Sequence, residues 1–450
     1  MHIAIIGGGV AGLGVAYFLA RSGYAVEVFE QAAELGGLAG TFDFDGFRVE
    51  KYYHFICRDD QPLLAMLADL GLAEEVDWKP GRMRFAFGSR LYPFETPWDL
   101  LRFEPLSFID RLRFGAVVAW YRRRNNWRAY EQHTAREWLR ARFGRAAFET
   151  IWAPLLELKF GRFASEVSAA WIWHRIHRLA RSRDGLLGQE QLGFLRGGTD
   201  VLLSRLIAQL RERGVVLHTL ARVDRILVEH GQVCGIHVEG EDRHYAAVVS
   251  TVPLPVLARI LAEAPAEFLQ YAQSIDYLAV LCVLLRLRQP LSDGFWINVH
   301  ADGVPFTGLI EYTNLNPRTD AASPHLLYIP YYLAADDERL QWEDARIVAD
   351  TVRGLRLLFP SFGPSLIAGV RVFRDRYAQA VCRRNFSRSV PDLRGPYPRL
   401  YLTDSTQLYP ADRTISGMFG LAQDLARLVE SDIPLHRGRP DSSATQTKMP

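Results

Sequence analysis

The chain has 450 residues, of which 49% are hydrophobic, 12% aromatic and 23% charged. That composition excludes a disordered, collagen-like or small disulfide-stapled protein and allows about three domains of ~150 residues. With 53 Lys+Arg against 51 Asp+Glu the net charge is +2, too even for a nucleic-acid binder, so no nucleic-acid partner is expected.

Cys57, Cys234, Cys282 and Cys382 form no CxxC pair and no metal-ligand spacing, so no metal is expected and a reducing compartment is implied. The N-terminus MHIAIIGGG lacks a basic leader, and no run reaches the ~18 apolar residues of a membrane span. These features predict a cytoplasmic protein.

Residues 2–6 (HIAII) predict a buried parallel strand. Gly7-Gly8-Gly9-Val10-Ala11-Gly12 follows at once, then a helix stopped by Gly23 and a second strand at 25–29 that ends on Glu30. A second glycine loop, Leu35-Gly36-Gly37-Leu38-Ala39-Gly40-Thr41, leads into a hairpin at 42–50 turning on Asp45-Gly46. A helix is predicted at 61–70.

From about 98 to 182 the sequence reads as helical and Arg-rich. Thr134-x-x-Glu137 predicts a capping box on a helix ending near Gly144, and Ser168 predicts the cap of a helix through 181. Seven of the ten tryptophans lie here (Trp98, Trp120, Trp127, Trp138, Trp152, Trp171, Trp173); at helical spacing most are expected in the core. The clusters Arg122-Arg123-Arg124 and Arg175/Arg178/Arg181/Arg183 are expected on a solvated face, with an anionic substrate or acidic membrane surface as the functional alternative. LSFIDRLRFGAVVAWYRRR at 106–124 is amphipathic, so the 98–124 region is a candidate for peripheral membrane contact, on the inner face of a membrane for a cytoplasmic protein.

Gly197-Gly198 precedes a helix near 200–213. Strands are predicted at 215–219, 223–229, 232–239 and 248–251, so the β/α alternation resumes after an insertion. Further strands at 278–288, 294–299, 306–312 and 325–332 lead to a helix near 342–358. The last ordered stretch reads strand, loop, then helix from about 416, and a polar tail at 433–450 is expected to be disordered.

Gly7-x-Gly9-x-x-Gly12 between strand and helix has a defined physical use. Gly7 permits the turn, Gly9 lets a pyrophosphate approach the backbone, and Gly12 lets helix and strand pack. The helix N-terminus offers N–H groups to the phosphates. Glu30, 18 residues beyond Gly12, is placed to accept hydrogen bonds from a ribose. The unit therefore predicts dinucleotide binding.

Four segments together are similar to one family. They are residues 7–42, FLRGGTDVLLSRL at 194–206, ARVDRI at 221–226 with VVSTVPLPVL at 248–257, and LYLTDSTQLYPADRTISGMFGLAQDLA at 400–426. The chain resembles the FAD-dependent amine oxidase and protoporphyrinogen oxidase superfamily, which includes carotenoid desaturases and, more distantly, UDP-galactopyranose mutases. The resemblance implies FAD. Gly7, Gly9, Val10, Ala11 and Gly12 match the pyrophosphate turn, Glu30 and Gln31 the ribose end, and Gly36, Gly37, Leu38 and Thr41 the doublet loop. Val223 matches the valine beside adenine; Thr251 falls in the same set. Asp404 matches the ribityl and phosphate region, and Gly417 and Met418 the helix start aimed at the flavin O2 edge.

Two positions depart from the family pattern: Leu38 stands where an Arg is common, and Thr403 precedes Asp404 in place of Gly. No cysteine lies between 383 and 450, so the FAD is expected to be non-covalent. Glu50-Lys51-Tyr52-Tyr53-His54-Phe55 matches the segment beside the isoalloxazine, making His54 and Tyr53 the catalytic candidates, with a structural role for His54 as the alternative.

The implied fold is α/β: a discontinuous Rossmann-like FAD-binding domain (1–75, 195–265, 385–432) and an α+β substrate domain with a helical cap and a mixed sheet (76–194, 266–384). The implied function is a FAD-dependent oxidoreductase taking hydride from a C–N or C–C bond of a small-molecule substrate. A redox-neutral, mutase-like enzyme acting on a nucleotide-sugar or other glycosyl substrate is the second reading. A flavin-binding accessory protein without turnover is the third.

Overall fold

The computed structural model describes residues 1–181, 189–261, 263–317 and 325–435. Arg183 and most of the expected polar tail, from 436 onward, lie outside the described residues.

The run HIAII forms the strand His2–Ile6, buried from Ile3 onward. It is the centre of a five-stranded sheet ordered Leu400–Leu402, Ala247–Ser250, His2–Ile6, Ala25–Phe29, Val216–His218. All four pairings are parallel. Strands covered on both faces have no polar side, which is why these segments read as apolar runs rather than alternations. Helices Val10–Arg21 and Ile415–Asp432 cover the sheet through Leu13, Val15, Phe419 and Ala422, all fully buried. Because the strands run parallel, their C-terminal ends share one edge. The residues that follow those ends are Gly7, Glu30, Thr251 and Thr403, and that edge is where open parallel sheets take ligands.

A second, seven-stranded sheet is mixed. Its order is Ile367–Ala380, Tyr277–Leu287, His325–Ala334, Gly308–Glu311, Trp296–His300, Met83–Phe87, Arg90–Pro93. Only the pairing of Trp296–His300 with Met83–Phe87 is parallel. Side chains of Tyr277–Leu287 alternate between two cores, as the period of two requires. Ala279, Leu281, Val283 and Leu285 pack toward helix Asp344–Leu358. Val280, Cys282 and Leu284 pack toward Phe44, Val49 and Tyr52 of the segment that carries His54. A three-stranded antiparallel sheet, Val223–Glu229, Gln232–Val238 and Glu241–His244, lies at the Glu30 end.

The hairpin Thr41–Phe44/Phe47–Glu50 turns on Asp45 and Gly46, both at positive φ, as a two-residue turn of this hand demands. The capping box forms as expected: Thr134 accepts from the Glu137 amide, and Glu137 accepts from the Thr134 amide at 2.9 Å. Ser168 Oγ accepts from the Ala170 amide at 3.2 Å at the start of Ala169–Arg181.

The structure corrects two expectations. The 76–194 insertion is not purely helical. It also supplies strands Val76–Pro80, Met83–Phe87, Arg90–Pro93 and Gln191–Leu195, whose partners are distant in sequence. The 14-residue strand Ile367–Ala380 was not foreseen, because Arg371, Arg374, Asp375 and Arg376 break its apolar pattern. Among the seven cap tryptophans, Trp138, Trp171 and Trp173 are core and Trp127 and Trp152 pack against it, whereas Trp98 and Trp120 are exposed.

Candidate active site

The first glycine loop is shaped by steric exclusion. Gly7 has φ +105, and a Cβ on Gly12 would lie 1.9 Å from the Gly7 carbonyl oxygen, so strand and helix touch backbone to backbone. Gly9 precedes the first helical residue, Val10, and provides no side-chain cap. The first-turn amides of that helix therefore remain available to an anion.

The second loop lies against the first. The Gly36 amide donates to Gly8 O at 2.8 Å. A Cβ on Gly37 would come 3.2 Å from Gly9 Cα, while a Cβ on Gly9 would meet only Gly37 Cα, at 3.9 Å. Gly9 thus borders a space that a methyl group would enter, which fits a cradle for a diphosphate. Leu38, half-buried, packs on the core around Phe44. Thr41 turns its hydroxyl to Asp200 and Arg48, at 2.6 Å each, so that hydroxyl is committed to protein partners.

At the end of the second strand the Glu30 carboxylate accepts from the amides of Gly8 and Ala32, at 2.8 Å each. The Glu30 carbonyl accepts from Ala221, which brings the turn before Val223 alongside; Val223 is buried and Gln31 exposed. Thr251 Oγ1 lies 3.1 Å from Ile6 O and 3.2 Å from Gly7 O, bracing the first loop. Two buried hydroxyls at neighbouring strand ends, Ser250 Oγ and Thr403 Oγ1, have no partner, as expected where a polar ligand is to complete the site.

The C-terminal assignments are refined. Asp404 is buried with both carboxylate oxygens engaged, by Thr406 and by Tyr277 and Leu254. Its side chain fastens the loop rather than facing open space. The last helix begins at Ile415, capped by Thr414, whose hydroxyl accepts from the Gly417 amide at 2.9 Å. The Met418 amide donates to Thr414 O. The N–H groups at the open end are therefore those of Ile415 and Ser416, two residues earlier than the sequence suggested. Gly417 serves packing: a Cβ there would lie 2.7 Å from Leu408.

A polar path joins the loops to a cleft. Thr199 Oγ1 donates to Ala39 O at 2.9 Å and the Thr199 amide donates to Glu50 Oε1 at 2.9 Å. Glu50 lines the cleft with His54, Phe55, Tyr312 and Ile415. His54 Nδ1 has no partner. Burial, and secondarily Arg413, lowers the His54 pKa to about 4, so the imidazole is neutral near pH 7. Tyr53, with its ring centroid 5.3 Å from that of Trp296, is pushed well above the usual phenol range by burial and then by Tyr332. Both sequence candidates are therefore neutral groups.

Sequence reading placed Arg175 and Arg178 on a solvated face, with an anionic substrate as the alternative, and did not single out Asp60, Lys159 or Asp412. Helix Ala169–Arg181 turns Arg175 and Arg178 inward, not onto a solvated face. Arg178 pairs with Asp60 at 2.9 Å, and Arg175 pairs with Asp412 at 3.1 Å. Lys159 reaches the same Asp412 oxygen at 3.5 Å. Elsewhere, Glu229, Cys234 and His244 bring potential ligand atoms within 4.8 Å of one another on neighbouring strands, a grouping that linear spacing could not reveal. Among the described residues no helix is long and apolar enough to cross a membrane.

Comparison with known proteins agrees with this geometry. The chain is 27% identical over 288 residues to a putative flavin-containing monoamine oxidase, AofH, of Mycobacterium tuberculosis, covering 60% of this chain and 62% of that protein. It is 23% identical over 457 residues to the 15-cis-phytoene desaturase of Synechococcus elongatus, covering 93% of each. The fold is shared with a putative protoporphyrinogen oxidase from Exiguobacterium sp. 255-15, at TM-score 0.74, 18% identity and 96% and 98% coverage. It is shared too with a reduced UDP-galactopyranose mutase, at TM-score 0.71, 17% identity and 96% and 95% coverage. The description of one family, flavin containing amine oxidoreductase, matches residues 10–413. With nine-tenths of its length so matched, this chain belongs to the flavin containing amine oxidoreductases, FAD-dependent enzymes.

Proposed function

We propose that the protein oxidises a small organic substrate at a C–N or C–C bond, taking a hydride from its C–H carbon while the accompanying proton is released to solvent. When bound, FAD supplies the hydride acceptor. Segments 1–75, 195–265 and 385–432 form the FAD-binding unit in this reading, and 76–194 with 266–384 the substrate unit. The observation that carries it is the continuous path from the Gly9/Gly37 cradle through Ala39, Thr199 and Glu50 to the cleft at His54 and Ile415.

The residues divide the work. The first-turn amides after Gly9 hold the diphosphate, and Glu30 accepts from the ribose while tied to Gly8 and Ala32. The uncapped N–H groups of Ile415 and Ser416 would stabilise the negative charge that FAD gains on reduction. His54 and Tyr53, neutral at pH 7, position the substrate and exclude water. Non-covalent FAD is part of the proposal: the cysteines are free, and Cys57, Cys282 and Cys382 are buried.

The purified protein, anaerobic, tests the reading. Retained flavin that NADPH leaves oxidised and a substrate bleaches supports it. Prompt reduction by NADPH with turnover of nucleotide-sugars and no net oxidation favours the mutase-like reading. Bound flavin that no substrate or nicotinamide bleaches favours the accessory one.

A peripheral membrane contact is also proposed, on a specific observation. Of nine exposed large apolar side chains among the described residues, five are Trp98, Phe108, Ile109, Leu112 and Trp120. On helix Phe108–Arg122 the last four follow helical spacing with exposed Ala116 and Ala119, making one uncovered apolar face. Exposed Arg102, Arg113, Arg123 and Arg124 surround it, which favours a lipid surface carrying anionic headgroups.

A further inference from the structure

We propose that the substrate is an organic anion, its carboxylate or phosphate held by Lys159, Arg175 and Arg413 and its apolar body by Tyr53, Trp296 and Tyr332. This rests on taking the chamber beside His54 as the active site.

Three cations meet here around one carboxylate. Lys159 Nζ and Arg175 Nη1 lie 3.5 and 3.1 Å from the same Asp412 oxygen. Arg413, the next residue, donates to Ala378 O at 2.7 Å and makes no ion pair among the described residues. A further carboxylate, Asp375, is occupied by the Tyr52 hydroxyl and also feels Lys51 and Arg413. Cations therefore outnumber carboxylates even with Lys51 and Asp375 counted. His174, on the same helix as Arg175, is neutral at pH 7 and adds no charge.

The cluster is partly buried, with the Arg175 side chain 35% and the Asp412 side chain 22% exposed. The Lys159 side chain is only 12% exposed, and burial lowers its pKa despite Asp412. Burial alone raises the Asp412 pKa, yet Lys159, Arg175 and Arg413 bring it down to about 2. Surplus positive charge in a partly buried cluster attracts an anion and repels an ammonium. A guanidinium fork adds two directed donors for a carboxylate or phosphate.

The aromatic walls supply the other half of the recognition. Lys159 Nζ lies 4.8 Å from the Tyr332 ring centre and the Arg175 guanidinium 6.0 Å from that of Trp296. Tyr53 packs edge-on against Trp296. All of these side chains are half-buried. The arrangement suits a molecule with an apolar body and one anionic end. It does not suit a cationic amine.

The test uses three probes with one aromatic body and different heads: phenylacetate, phenyl phosphate and 2-phenylethylamine. Each is titrated calorimetrically into the FAD-loaded protein, with the flavin spectrum recorded alongside. Both Arg175→Gln and Lys159→Gln are compared, with Arg175→Lys and Arg413→Lys as charge-preserving controls. The expected result is that an anion binds at least about tenfold more tightly than the amine, a difference worth about 1.4 kcal/mol. That preference falls about tenfold in the Gln variants and persists in the Lys variants. Tighter phenyl phosphate assigns a phosphate ligand, and tighter phenylacetate a carboxylate. Equal or tighter binding of the amine, or anion binding unchanged in both Gln variants, overturns the proposal. Anion preference in a folded protein that holds no flavin overturns the FAD reading and leaves this one standing.

Discussion

Gly9 and Gly37 face each other with no side chain between them: a Cβ on Gly37 would stand 3.2 Å from Gly9 Cα, whereas one on Gly9 meets only Gly37 Cα, at 3.9 Å. The asymmetry separates folding from cofactor binding. Gly9→Ala is expected to leave apo-protein stability within about 0.5 kcal/mol while flavin retention falls. Gly12→Ala, with its 1.9 Å collision, is expected to cost about 3 kcal/mol through overpacking. Denaturant melts of the apo-proteins beside their flavin content measure both.

Glu30 holds two backbone amides at 2.8 Å each. In Glu30→Ala both lose a charged acceptor. Because the carboxylate is partly exposed, water recovers much of the loss, leaving about 1–2 kcal/mol of stability. FAD affinity falls further, since the ribose contact is lost as well. Glu30→Gln is expected to keep most of the stability and lose affinity, which a fluorescence titration with FAD resolves.

The buried pair Arg178–Asp60 braces the cap helix against the segment after His54. Asp60 also accepts from the Cys57 amide at 2.8 Å. Arg178→Met leaves Asp60 charged without its cation and is expected to cost about 3 kcal/mol in urea unfolding, more than the double variant with Asp60→Asn.

His54 and His174 give the folded protein an acid limb. Burial comes first for each, reinforced by Arg413 for His54 and by Arg178 for His174, and lowers both pKa values to about 4 from an ordinary 6.5. The unfolded chain then binds more protons than the native one below pH ~6.5. Stability is full above that pH and is lost as pH falls toward 4. Urea melts at about pH 7.5 and pH 5 are expected to differ less in His54→Gln than in the parent protein. An equal difference in both contradicts the assignment.

The face of Phe108, Ile109, Leu112 and Trp120 predicts sedimentation with vesicles containing anionic lipid, weaker at high salt. Ile109→Glu with Leu112→Glu abolishes it without changing flavin content. Concentration-dependent dimerisation with no vesicle binding would assign the face to a second copy instead.

Legibility in the sequence followed the locality of each signal. The Gly7–Gly12 turn, Glu30 and the Asp45-Gly46 hairpin are set within a few residues, so their chemistry is visible in the linear chain. The cationic cluster joins residues 159, 175 and 412–413; no local pattern carries it. The spacing of Arg175, Arg178 and Arg181 marks one helix face but not whether that face is covered. The Thr414 hydroxyl, by capping Gly417, moved the uncapped amides of the last helix back to Ile415 and Ser416. The strand Ile367–Ala380 was obscured because half-buried positions throughout it tolerate Arg and Asp.

The anaerobic visible spectrum of the purified protein, before and after NADPH and then the tightest-binding anion class, tests the central claim most directly. A retained oxidised flavin that NADPH leaves unchanged and an oxidisable anionic substrate bleaches is the expected result. A folded protein that holds no flavin even after incubation with FAD would contradict it.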